Sequence, residues 1–146
     1  MKERLWKYCS DLIEERISSL NNQLADLRAG TVSEGKSTAG DKHETGRAMM
    51  HLEQEQLHKQ LAEFQLQLQT LQSVRNIPAS DKIQNGSLVS TDHGLFYIAV
   101  GLGKISFEDQ TVFVISAGSP IAQAFINKKR NDKVRFGNQE YRILDV

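Results

Sequence analysis

Two seven-residue apolar repeats, separated by a run of small residues, constrain this chain more than any other feature. Over residues 6–27, Trp6, Ile13, Leu20 and Leu27 hold one heptad position and Ile17 and Leu24 a second. Over residues 50–71, Met50, Leu57, Phe64 and Leu71 repeat in the same way, with Leu61 and Leu68 in the companion register. Each stripe predicts a helix that needs a partner seam of similar length. Between them residues 29–40 (AGTVSEGKSTAG) are rich in Gly, Ser and Thr, which is expected to break the helix and let the chain reverse. The economical solution is an antiparallel hairpin within one chain, its turn about 40 Å from its base at ~1.5 Å rise per residue; a monomer is expected, the alternative being seams that pair between chains.

Pro78 removes a helical donor and biases its neighbour towards extended geometry, so the second helix ends before it. A boundary is expected here, with a coiled-coil hairpin over residues 1–77 and a small domain over residues 78–146. The second part changes to short β-prone runs at 87–91, 95–100, 104–107, 111–116, 133–136 and 141–146. Turn formers such as Asp92-His93-Gly94 and Gly137-Asn138 punctuate them. One short helix is expected near 120–127, with Ser119 as N-cap and Pro120 at its first position. The class is α+β, a helical hairpin followed by a small antiparallel β domain carrying one short helix.

Eighteen basic and eighteen acidic residues cancel, and the isoelectric point is near 6.9. Bulk charge therefore cannot hold duplex nucleic acid, and any charge effect must be local. Cys9 is the single cysteine, which excludes an intramolecular disulfide and fits a reducing, cytoplasmic setting. The opening residues are charged and amphipathic, so neither a signal peptide nor a membrane span is expected.

The candidates for chemistry sit at the turn. Asp41 and Glu44, three residues apart before the second repeat, form an acidic capping box and favour the positive end of a helix dipole. The same two carboxylates, presented at a protruding tip, can share a divalent cation or position a water if a partner supplies the remaining ligands. Residues 30–37 satisfy the phosphate-loop pattern G-x-x-x-x-G-K-[ST], but a heptad helix precedes them where that loop needs a strand of a parallel sheet. His51, Glu55 and His58 have the spacing of ligands on one helical face, yet their place beside the seam reads as a solvated face. Lys128, Lys129, Arg130, Lys133 and Arg135 form a basic cluster that can meet phosphates or an acidic protein surface, or simply be a solvated edge. Cys9 has no activating neighbours visible in sequence.

The order of parts resembles the bacterial Gre transcript-cleavage factors. Residues 119–129 (SPIAQAFINKK), the turn at Asn131-Asp132 and the closing run Tyr141-Arg142-Ile143-Leu144 are similar to the family's C-terminal segment. Gly40-Asp41-Lys42-His43-Glu44 resembles the family's Gly-Asp-x-x-Glu-Asn tip. Thr45 stands in place of the asparagine, and Arg47 and Ala48 replace the acidic and aromatic residues one turn later. The resemblance implies an FK506-binding-protein-like C-terminal domain that docks on RNA polymerase through a loop containing Ser119 and Pro120. It further implies a hairpin that enters the polymerase secondary channel. There Asp41 and Glu44 would share a magnesium ion with the polymerase active centre, so that the 3′ end of a backtracked RNA is cut. No cofactor of the chain's own is implied, and the activity stimulated is the polymerase's.

Overall fold

The structure is a computed structural model that describes the backbone of residues 1–35 and 40–146 and the side chains of residues 1–30 and 45–146. Its elements, in chain order, are α1 (Lys2–Gly35), α2 (Gly40–Ser73), β1 (Leu88–Thr91), β2 (Gly94–Ala99), β3 (Gly103–Phe107), β4 (Gln110–Ser116), α3 (Pro120–Phe125), β5 (Lys133–Phe136) and β6 (Gln139–Asp145). Two compact units result, one of Asp11–Leu68 and one of Met1–Ser10 with Gln69–Val146.

In the helical unit Leu20, Leu24 and Leu57 are buried together, with Leu27, Leu61 and Phe64 packed against them. Arg16 lies over the Phe64 ring at 5.6 Å, and a Cβ built on Gly30 would meet the Met50 terminal methyl at 3.4 Å. Residue numbers rise along one helix as they fall along the other, so the two run antiparallel and the heptad seams face each other. The helix break expected within residues 29–40 falls after Gly35 and before Gly40. α1 continues through Gly35, because each residue added to an existing helix gains a hydrogen bond. That gain offsets a glycine cost of about 1 kcal/mol at each position.

Six strands form one sheet in the order β3-β4-β2-β1-β6-β5. The expectation of an antiparallel sheet needs correction, because β2 and β4 are parallel, with Phe96 opposite Phe113 and Ile98 opposite Ile115. Residues 100–102 carry the chain past one strand position, and β4 returns through the Glu108-Asp109 turn into the gap between β2 and β3. The Leu102 amide donates to the Val114 carbonyl at 3.1 Å, which ties that connection to β4. A sequence of short strands does not reveal such an insertion, since nearest-neighbour hairpins are the default pairing.

Alternation along the strands gives the sheet two apolar faces. Val89, Phe96, Ile98, Val134 and Ile143 point to one face and pack with Ile83, Ala122 and Phe125 of the helix side. Each such burial contributes roughly 1.5–3 kcal/mol for a large side chain. The opposite face meets the start of α1. The Tyr8 ring lies tilted 5.3 Å from Phe107, Arg4 pairs with Glu108 at 2.7 Å, and Leu5 and Cys9 are fully buried. This stripe at positions 5 and 9 lies outside the coiled-coil register, so α1 is seam along most of its length and sheet cover at its first turns.

Candidate functional site

Gly40 opens α2, which places Asp41 and Glu44 in its first turn. Their side chains lie outside the described residues, so neither the capping bond nor the shared presentation of two carboxylates is visible. The residues that follow, Thr45 and Arg47, are exposed. The backbone of residues 30–35 is helical, which removes the strand-to-loop junction that the phosphate-loop pattern requires. His51, Glu55 and His58 are all exposed. Among the described residues no group of three or more His, Cys, Asp or Glu side chains is placed to hold a metal ion.

Ser119 and Pro120 stand where local sequence places them. Ser119 is the N-cap of α3, its hydroxyl oxygen accepting from the Ala122 amide at 3.3 Å while the hydroxyl donates to the Ser116 carbonyl at 2.8 Å. Both hydrogen-bonding roles of this hydroxyl are thus used within the domain. Pro120 presents an exposed ring at the first helical position. The helix ends when Asn127 adopts a left-handed conformation (φ 69) and the Lys128 amide donates to the Phe125 carbonyl at 3.0 Å.

Beside this loop lies an aromatic cleft of about 240 Å³, lined by His93, Phe96, Phe113, Ile115, Ile121, Gln139 and Tyr141. It exists because α3 is only six residues long, about 9 Å, whereas six strands span about 24 Å. One end of the apolar face therefore stays uncovered. Phe96 forms the floor, stacked on Phe113 at 5.1 Å and edge-on to Tyr141 at 5.6 Å. A polar rim closes one side, where the Gln139 amide and the His93 ring nitrogen Nε2 lie 2.7 Å apart.

No protein-family model matches the chain, and no curated protein matches it. The chemistry must therefore be read from the residues themselves. Burial pushes the Cys9 thiol up to about 11, so at neutral pH it is a protonated core group and not a nucleophile. Burial likewise raises the Tyr97 phenol, with the neighbouring Cys9 and Glu3 adding to the effect. The Arg4 guanidinium, by hydrogen bonding first and charge second, holds the Glu108 carboxyl below its usual range. None of these three groups lies in the cleft, and their role is to fasten α1 to the sheet.

Sequence reasoning missed the cleft. Phe96, Phe113 and Tyr141 are far apart in the chain and converge only through the parallel β2–β4 register and the pairing of β1 with both β2 and β6. Their alternation was a visible signal for inward-facing positions, but alternation does not say which stretch of a face stays uncovered. No described helix is long and apolar enough to cross a membrane.

Proposed function

We propose that the protein is a Gre-like transcription regulator that binds RNA polymerase, places its helical turn in the secondary channel and stimulates cleavage of backtracked RNA by the polymerase. The observation that carries this reading is the antiparallel pairing of two 34-residue helices with an acidic pair in the first turn of the second. A sheet domain bearing one short capped helix follows them, which supports an FK506-binding-protein-like assignment for that part. Asp41 and Glu44 supply too few ligands for a magnesium ion of their own, which is the reason a host active centre is required. There they would complete the shell of an ion that polarises the scissile phosphate and activates water. Pro120 and the neighbouring aromatic cleft offer the apolar contact for docking, whereas the engaged Ser119 hydroxyl sets the loop's shape.

The test is a magnesium-dependent cleavage assay on stalled, backtracked complexes of the cognate polymerase. Wild-type protein releases the 3′ RNA fragment, and Asp41→Ala and Glu44→Ala each slow release by about tenfold or more. Equal cleavage by wild type and both variants would remove the assignment. A second reading is favoured by Thr45, Arg47 and Ala48, which depart from the family's tip: a regulator that occupies the channel without cleaving. Displacement of a cleavage factor from the polymerase, with no RNA fragment released, selects this second reading.

A further inference from the structure

Although the chain has no net charge, residues 127–142 carry six basic side chains against two acidic ones. Backbone bonds gather them. The Ile83 amide donates to the Lys128 carbonyl at 2.7 Å, and the Asn131 amide donates to the Ile143 carbonyl at 2.8 Å. Three chain segments thereby meet at the β5–β6 end of the sheet, and they bring like charges face to face. Lys82 stands directly opposite Lys129 in an isolated antiparallel bridge, and Lys133 directly opposite Arg142 across the β5–β6 ladder. Like charges in direct cross-strand pairs are destabilising. Glu140 relieves little of this: it lies opposite Arg135 in the ladder, and its carboxylate is 3.9 Å from Lys133. Among the described residues, Lys82, Lys128, Lys129, Arg130 and Arg142 have no ion-pair partner, and all five are exposed. Asp132 is occupied with the backbone, its Oδ2 accepting from the Lys129 amide at 2.9 Å.

We propose that this end of the sheet is a binding surface for the phosphodiester backbone of a nucleic acid. Two repulsive pairs in one small region lower stability with only the 3.9 Å Glu140–Lys133 contact among the described residues to offset them, and an anion laid across them converts that repulsion into binding energy. The chemistry favours phosphate over an acidic protein surface. Guanidinium groups at Arg130, Arg135 and Arg142 match phosphate oxygens bidentately. Among the described residues, the face shared by Lys133, Arg135 and Arg142 has no buried aromatic pocket of the kind that anchors a protein partner. The cluster is separate in sequence and fold from Asp41 and Glu44, and the inference does not depend on the polymerase reading.

The experiment measures binding of full-length protein to a fluorescent single-stranded oligonucleotide and to its duplex, by anisotropy over a range of salt concentration. Affinity falls linearly with salt on logarithmic axes, with a slope set by the number of phosphates neutralised. The Lys133→Gln/Arg135→Gln variant weakens binding about tenfold or more at low salt and lowers the slope by about 1.4 for single strands or 1.8 for duplex. Lys129→Glu weakens binding while its melting temperature stays at or above that of wild type, because it relieves the pair with Lys82. Asp41→Ala leaves all of these values unchanged. The proposal is overturned if neither oligonucleotide binds at low salt, if the double variant keeps the wild-type affinity and slope, or if polyglutamate competes as well as unlabelled oligonucleotide.

Discussion

Replacing Trp6 by phenylalanine tests how the start of α1 is held to the end of α2. The indole is 6% exposed, its Nε1–H donates to the Leu71 carbonyl at 2.7 Å, and the Arg75 guanidinium lies 4.1 Å from the ring centroid. Arg75 is itself held by Glu3 at 2.9 Å. Leu71 belongs to the last turn of α2, where carbonyls lack helical partners. Its carbonyl also accepts from the Val74 amide at 3.2 Å, so losing the indole donor does not orphan it. The net loss for that bond is then about 0.5–1.5 kcal/mol. The smaller ring gives up roughly 1 kcal/mol of apolar burial, and a weaker cation–π contact at an exposed guanidinium about 0.5 kcal/mol. Together Trp6→Phe should cost about 2–3 kcal/mol, and Trp6→Ala about 3–5 kcal/mol because a cavity is added. Urea unfolding followed by far-ultraviolet circular dichroism reads this as a lower midpoint at unchanged slope. Stability of Trp6→Phe within about 0.5 kcal/mol of wild type would refute the fastening role. A loss equal to that of Trp6→Ala would instead place the whole effect in the indole hydrogen bond and the Arg75 contact, and none in the ring volume that phenylalanine retains.

Two further outcomes follow from the sheet domain. The Cys9 thiol is raised from 9.0 to about 11 by burial, so the folded state favours the protonated form. The stability tied to this group is complete below pH 9 and is lost as the pH climbs towards about 11, and a Cys9→Ala variant should lack that component of the alkaline decline in urea midpoint. Glu108 and Asp109 both take positive φ, 48° and 61°, in a two-residue hairpin turn that favours Asn-Gly. Asp109→Gly should therefore raise stability by about 0.5–1 kcal/mol, measured by the same urea midpoint, while leaving the Arg4–Glu108 pair in place.

Much of the architecture was legible from residue patterns alone. The seam positions, the six strands and the α3 cap at Ser119-Pro120 depend on local rules, namely periodicity, turn chemistry and capping, that act within a few residues. The one expectation that failed, and the one that was narrowed, depended on competition between local and extended terms. Small residues at 29–40 argued for a break, which the structure narrows to the stretch after Gly35 and before Gly40, because an established helix propagates through the first of them. Short alternating runs argued for an antiparallel sheet, yet β4 inserts between β2 and β3 because the 100–102 connection leaves a gap one strand wide. The candidate sites divide in the same way. Asp41 and Glu44 were found from spacing at the turn, and the basic cluster from its run of charge. Only the tertiary structure decided that Lys82 faces Lys129 and Lys133 faces Arg142, and that Phe96, Phe113 and Tyr141 line one cleft. Sequence determines which side of a strand a residue takes, because the backbone alternates every residue. It does not determine which strands become neighbours, since that choice is made by long-range pairing and by how far a six-residue helix can reach across the sheet.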